Sequence, residues 1–150
     1  TAWNVDTRIQ GHLDIPLNDT GLWQAQRAAA ALAGEPIAAV YTSDLKRAHA
    51  TAGAIAGVAG LQPVSHTGLR ERSFGVFEGK TFTEIDTLWP DDAQAWRKRV
   101  PDWTPQGGES LLVLRERIAG TAQALVDALV AHYRPETQRL SGRATTRPTT

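Results

Sequence analysis

The stretch from Thr20 to Thr67 alternates helix-forming and strand-forming segments, and that alternation narrows the fold more than any other feature of the chain. Thr20 is a hydroxyl N-cap ahead of Gly21, and the LWQAQRAAAALA that follows is rich in good helix formers. Gly34 and Pro36 stop that helix. IAAVYTS, from Ile37 to Ser43, is a short apolar run bounded by turn signals, as expected of a buried strand. Asp44 marks the next helix start, LKRAHATAGAIAGVA carries that helix to about Ala59, and Gln62 to Thr67 reads as a second, weaker strand. Helix, strand, helix, strand in succession predicts an α/β fold with a mostly parallel sheet.

The flanking segments are less regular. Residues 1 to 19 carry no sustained period and read as a long loop, and residues 68 to 80 (GLRERSFGVFEGK) as a glycine-punctuated one. Two short helices are expected around Phe82 to Leu88 and Asp91 to Val100, split by Pro90. PDWTPQGGES is a turn-rich connector ending in a Ser110 or Glu109 cap. The strongest helix follows, with Leu111, Leu114, Ile118, Leu125 and Leu129 largely at helical spacing. From Gln138 onward Leu140 is the sole large apolar residue, and the composition there predicts a disordered tail. The expected organisation is one domain over 1–137 and a tail over 138–150.

Composition removes several function classes. Sixteen basic residues balance sixteen acidic ones, so no global attraction to nucleic acid or anionic membrane is indicated. The chain has no cysteine, which excludes disulfides, thiolate metal sites and cysteine nucleophiles. No apolar run approaches the roughly 20 residues that span a bilayer. The default reading is a soluble, cytoplasmic protein.

Three local patterns carry chemistry, and their order matters more than any one alone. The first is TAWN at residues 1–4 followed by RIQGHLDIPLNDTG, where Asn4, Gln10 and Gly11 offer amides and a close backbone approach to an anion. The second is SDLKRAHATA, residues 43–52, at the carboxyl end of an expected strand and the start of a helix. Ligands of open α/β sheets bind at such ends, and Arg47 is placed to present its fork to a phosphate. The third is LRERSFGVFEG, residues 69–79, where Glu71 follows an expected strand and is a candidate general acid for a leaving alkoxide. Taken singly, each of these residues is more often a solvated loop or surface residue than a functional one.

Together the three patterns resemble the histidine phosphatase (phosphoglycerate mutase-like) superfamily. TAWN is similar to the second half of its Arg-His-Gly-Glu-Thr-x-Trp-Asn motif, SDLKRAHATA to its Ser-x-Leu-x-Arg-Ala-x-x-Thr-Ala signature, and LRERSFGVFEG to its Leu-x-Glu-x-x-x-Gly-x-x-Glu-Gly loop. QGGES before the long helix is also typical, and the resemblance runs from Thr1 to roughly Thr137. It implies a three-layer α/β sandwich and a phosphomonoesterase in which a histidine is transiently phosphorylated. It further implies Arg47 as a phosphate clamp, Glu71 as proton donor, and Asn4, Gln10, Gly11 and Arg72 as substrate contacts. The implied partner is a phosphorylated small molecule. No metal or organic cofactor is implied.

The sequence departs from that pattern at both ends. The nucleophilic histidine is expected just before Thr1, within a first strand that is likewise missing. The second catalytic histidine is expected in a turn after the long helix, where the chain reads QRLSGRATTRPTT. The abrupt change of composition there reads as a frame change or artificial junction. His12, His49, His66 and His132 are read as surface or packing residues, so the chain itself is expected to be inactive and poorly folded alone. For the complete protein the rival activity is a phosphoglycerate mutase. Arg97, Lys98 and Arg99 after Trp96 resemble a mutase substrate clamp, although mutases favour Tyr where this chain has Phe74. A non-catalytic phosphate-binding module is the alternative from another class.

Overall fold

Phe77 is fully buried, and three tryptophans ring it in this computed structural model, which describes residues 1–143 and side chains through 133. The centroids of Trp89, Trp96 and Trp103 lie 5.6, 5.7 and 5.7 Å from that of Phe77. Edge and tilted pairs of this kind add roughly 0.5–1.5 kcal/mol each beyond the area they bury. Ile85 and Ala93 complete the enclosed centre, with Ile9, Phe74 and Val76 packed against it. The sequence therefore spends three of its five tryptophans on one cluster.

The chain divides into two units, Thr1–Ile118 and Ala119–Thr150. In the first, the elements run α1 (Ala2–Val5), α2 (Asp19–Ala31), β1 (Tyr41–Thr42), α3 (Lys46–Val58), β2 (Val64–Ser65), α4 (Phe82–Leu88), α5 (Pro90–Arg97) and the opening turns of α6 (Leu111–Arg143). β1 and β2 pair in parallel, Tyr41 opposite Val64 and Thr42 opposite Ser65. The Val64 amide donates to the Val40 carbonyl and the His66 amide to that of Thr42, both at 2.8 Å. α3 makes the crossover between them, α2 packs on α3, and Ala25 and Ala29 of α2 and Ala52 and Ala56 of α3 are buried. Small residues at those positions let the two helices approach closely.

Several expectations are corrected. The opening loop contains a helical turn, α1, closed by reciprocal bonds between Thr1 and Asn4, and a single turn is too short to show a period. α2 is capped by Asn18, whose Oδ1 accepts from the Gly21 amide at 3.0 Å, rather than by Thr20. Asn caps at least as well as Thr, and Asp19 then falls in the first turn, where a negative charge suits the dipole. Pro90 opens α5 as its first residue instead of merely splitting the region, because a missing N–H costs nothing there. The strand expected over residues 37–43 pairs only at its end, since an apolar run reports burial and not the length of the ladder.

Ser110 caps α6, its Oγ accepting from the Val113 amide at 3.1 Å. α6 continues to Arg143, past the point at which composition predicts a tail, and residues 144–150 lie outside the described part. In the second unit Gln123 donates to Asp127 one turn on, and His132 meets Tyr133 edge-on at 5.2 Å. Val126, Val130 and Tyr133 are exposed. Among the described residues no helix is long and apolar enough to cross a membrane.

Candidate active site

The site is assembled from three segments of the first unit. Gly11 takes φ +54°, and a Cβ there would fall 2.2 Å from Glu78 Oε1. Glycine is thus required at this turn between Gln10 and His12. Glu78 fixes the turn by accepting from the amides of His12 (2.9 Å) and Phe74 (3.0 Å) through the same oxygen. Asn4 reaches the turn from α1, its Oδ1 accepting from Gln10 Nε2 at 3.2 Å. Gln10 Oε1 is buried and has no protein donor.

Arg47 enters from the first turn of α3. Its Nη1 donates to the Leu13 carbonyl at 2.8 Å, and its Nη2 to the Gly11 carbonyl and to Glu71 Oε2, both at 2.7 Å. The Arg47 side chain is largely covered while that of Glu71 is half exposed. Glu71 comes from the loop after β2, whose backbone is gripped from two sides. His12 Nε2 lies 2.8 Å from the Glu71 carbonyl, which requires the proton on that nitrogen. Arg117 Nη2 donates to the same carbonyl at 3.1 Å.

A cleft of about 280 Å³ opens beside these groups, lined by Trp3, Asn4, Thr7, Arg8, Ile9, Gln10, Glu71, Phe74 and Phe82. Arg8 projects one guanidinium nitrogen onto the Gly79 carbonyl (2.9 Å) and toward Glu84 (3.4 Å). Thr7 sits in the left-handed region at φ +54°, a conformation that costs a β-branched residue about 1–2 kcal/mol. Asn4, Gln10 and Glu71 line the cleft; Arg47 is joined to it by its bond to Glu71, and Gly11 by its carbonyl, which accepts from Arg47.

Arg72 is placed elsewhere, which corrects its expected role as a substrate contact. Its Nε donates to the Glu109 carbonyl at 2.8 Å, and its guanidinium carbon lies 5.3 and 5.6 Å from the ring centroids of Phe74 and Trp103. It is buried, and that burial pulls its pKa below the usual guanidinium value, the charge of Glu109 opposing. Next to a loop glutamate, only its side-chain direction separates a ligand contact from a core residue, and sequence does not give that direction.

Against this geometry the comparisons with known proteins are decisive. Residues 1–136 match the family described as histidine phosphatase superfamily, branch 1. The chain belongs to the histidine phosphatase superfamily. It is 42% identical over 130 residues to phosphoglycerate mutase-like protein 4 of Arabidopsis thaliana, covering 85% of this chain and 56% of that protein. It is 38% identical over 131 residues to glucosyl-3-phosphoglycerate phosphatase of Mycobacterium tuberculosis, covering 87% and 56%. A solved mycobacterial glucosyl-3-phosphoglycerate phosphatase, in complex with VO3, superposes with a TM-score of 0.79 at 36% identity, covering 85% of this chain and 63% of that one. The chain thus spans just over half the length of the curated relatives it matches. Its α/β fold is of the phosphoglycerate mutase-like class, represented among the described residues by helices and one parallel strand pair.

Within this superfamily member, sequence reasoning missed Arg8, Glu78 and Arg117. Arg8 and Glu78 stand inside the first and third patterns but are given no role there, and Arg117 stands outside all three; each meets a partner 46 or more positions away. Among the described residues no three His, Asp or Glu side chains converge as a metal site requires. His49 and His66 are exposed, and His66 Nδ1 accepts from the Gly68 amide at 3.0 Å.

Proposed function

We propose that this chain carries the phosphate grip and proton donor of a phosphomonoester phosphatase that works through a phosphohistidine. The carrying observation is the 2.7 Å contact of Arg47 with Glu71 at the edge of a cleft lined by amides. A guanidinium held by two carbonyls is preorganised to meet phosphoryl oxygens, where charge must be stabilised in transfer. The adjacent carboxyl is within reach of the same phosphoryl group and protonates the leaving oxygen. Asn4 and Gln10, which line the cleft, orient the ester.

The nucleophile is not among the four histidines here. The His12 ring is committed to the Glu71 carbonyl, His66 to a backbone amide, His49 is exposed on α3, and His132 belongs to the second unit. The chain as it stands therefore binds phosphate without turning it over. Calorimetric titration with inorganic phosphate, alongside a p-nitrophenyl phosphate assay, tests this. Saturable binding that Arg47→Ala removes, with no hydrolysis above buffer, is expected. Hydrolysis by the chain overturns the assignment of inactivity, and absence of binding overturns the site.

One observation favours a mutase as the second reading. A further cavity of about 450 Å³ is lined by Phe82, Trp96, Arg97 and Arg99, and it shares Phe82 with the first. Arg97 is paired with Asp86, whereas Arg99 lines the cavity in a strained backbone with φ +53°. Two cations beside an aromatic wall suit a second anionic group on the ligand. If 3-phosphoglycerate binds more tightly than phosphate and Arg99→Ala erases the difference, the mutase reading gains.

A further inference from the structure

Arg117 makes more hydrogen bonds to the loop carrying Glu71 than any other side chain does among the described residues. Its Nη1 donates to the carbonyls of Gly68 (2.9 Å) and Arg70 (2.8 Å), and its Nη2 to that of Glu71 (3.1 Å). The same fork embraces Glu109, Nε to Oε1 at 2.7 Å and Nη2 to Oε2 at 2.8 Å. Glu109 is itself stitched to the loop. Its amide donates to the Ser73 carbonyl at 2.9 Å, and its Oε2 accepts from the Ser73 amide at 2.8 Å. Both side chains are mostly covered.

A pair built only for stability would not need three loop carbonyls, those of Gly68, Arg70 and Glu71, on one guanidinium. Only a planar fork with five fixed donors can meet a carboxylate on one edge and carbonyls on the other. The carbonyls so held include that of Glu71, whose side chain is the partner of Arg47. We propose that Arg117, locked by Glu109, is a positioning residue that sets the backbone of Glu71 and so decides whether its carboxyl meets Arg47 at the cleft. The proposal deepens the proposed function and rests on it, since it concerns the proton donor of that same site.

The test is a double-mutant cycle between Arg117 and Glu71 in this chain, with two independent readouts. One is the guanidinium 15N resonance of Arg47, which reports the Arg47–Glu71 contact without any ligand. The other is the affinity for inorganic phosphate. In the wild-type background Glu71→Gln is expected to shift the Arg47 resonance and to tighten phosphate binding about fivefold, because a competing negative charge is removed. In an Arg117→Lys background both effects should shrink to less than about a third, since a point-charge ammonium cannot hold the three carbonyls together. Glu109→Gln gives the same result by loosening the fork, and serves where Arg117→Lys does not fold. Equal effects of Glu71→Gln in every background overturn the proposal and leave Arg117 a stabilising residue only. Resonance coupling without phosphate binding by the wild-type chain supports the placement of Glu71 while removing the proposed function.

Discussion

Arg47 Nη2 lies 2.7 Å from Glu71 Oε2, so the cation assigned to phosphate is occupied by the carboxylate assigned to the proton. An incoming oxyanion must share or displace that carboxylate. Two like charges around one guanidinium repel each other, so the carboxylate opposes phosphate binding. The half-exposed position of Glu71 keeps the repulsion to about 1 kcal/mol. Glu71→Gln should therefore tighten phosphate binding about fivefold, while Arg47→Ala should weaken it at least about tenfold. Calorimetry on the three proteins decides the matter, and weaker binding by Glu71→Gln would contradict the competition.

Acid stability should report the Glu109–Arg117 pair. The Arg117 hydrogen bond, with help from the Ser73 amide and against desolvation, holds the Glu109 carboxyl below its ordinary value. A depressed folded pKa gives stability that is present above the unfolded value, about 4.3, and is lost as pH falls through the folded one. The melting temperature should fall as the solution is acidified through this range, and Glu109→Gln should flatten that limb while lowering stability at neutral pH. An unchanged acid limb in the variant would remove Glu109 from the account.

The aromatic core predicts its own mutational cost. Phe77 is wholly enclosed by Trp89, Trp96 and Trp103, with little freedom for the site to collapse around a smaller residue. Phe77→Ala should cost about 3–5 kcal/mol in urea unfolding, much of it from the cavity left behind.

Much of this was legible before the structure. The placement of Arg47 depends on a helix start after an apolar run, and both signals are local, so the α3 segment with Arg47 in its first turn is legible in SDLKRAHATA. Phe82–Leu88 is bounded as expected because Thr81 and Glu84 form a capping box three residues apart. What escaped is long-range. Arg117 lies three residues beyond Leu114 on a helix whose periodicity marks only an apolar stripe, and its partners are loop carbonyls that have no sequence signature. Arg72 failed for the complementary reason. Its neighbours in sequence belong to the site, while its side chain joins an aromatic cluster drawn from a segment about thirty residues on.

The contact between the Gly75 turn and the connector before α6 gives a sharper stability test than any core residue. Gly75 has φ +53°, and a Cβ there would lie 2.0 Å from the Gln106 carbonyl oxygen, which accepts from the Val76 amide at 3.0 Å. Gly75→Ala therefore meets both a left-handed backbone and a main-chain atom that cannot rotate away. A loss of more than about 2 kcal/mol is expected, with weaker hydrogen-exchange protection at Val76.

Arg72 separates a buried structural cation from a ligand contact. Its guanidinium is enclosed by Phe74 and Trp103 and donates to the carbonyls of Glu109 and Trp103. Arg72→Lys replaces a stacked plane by a strongly hydrated ammonium, and should lower stability by about 1–3 kcal/mol. It makes no bond to Asn4, Gln10, Gly11 or Arg47, so the phosphate affinity of the folded variant should stay within about twofold of the wild type. A loss of about tenfold with stability unchanged would instead return Arg72 to the cleft, and with it the substrate-contact role expected from its place beside Glu71.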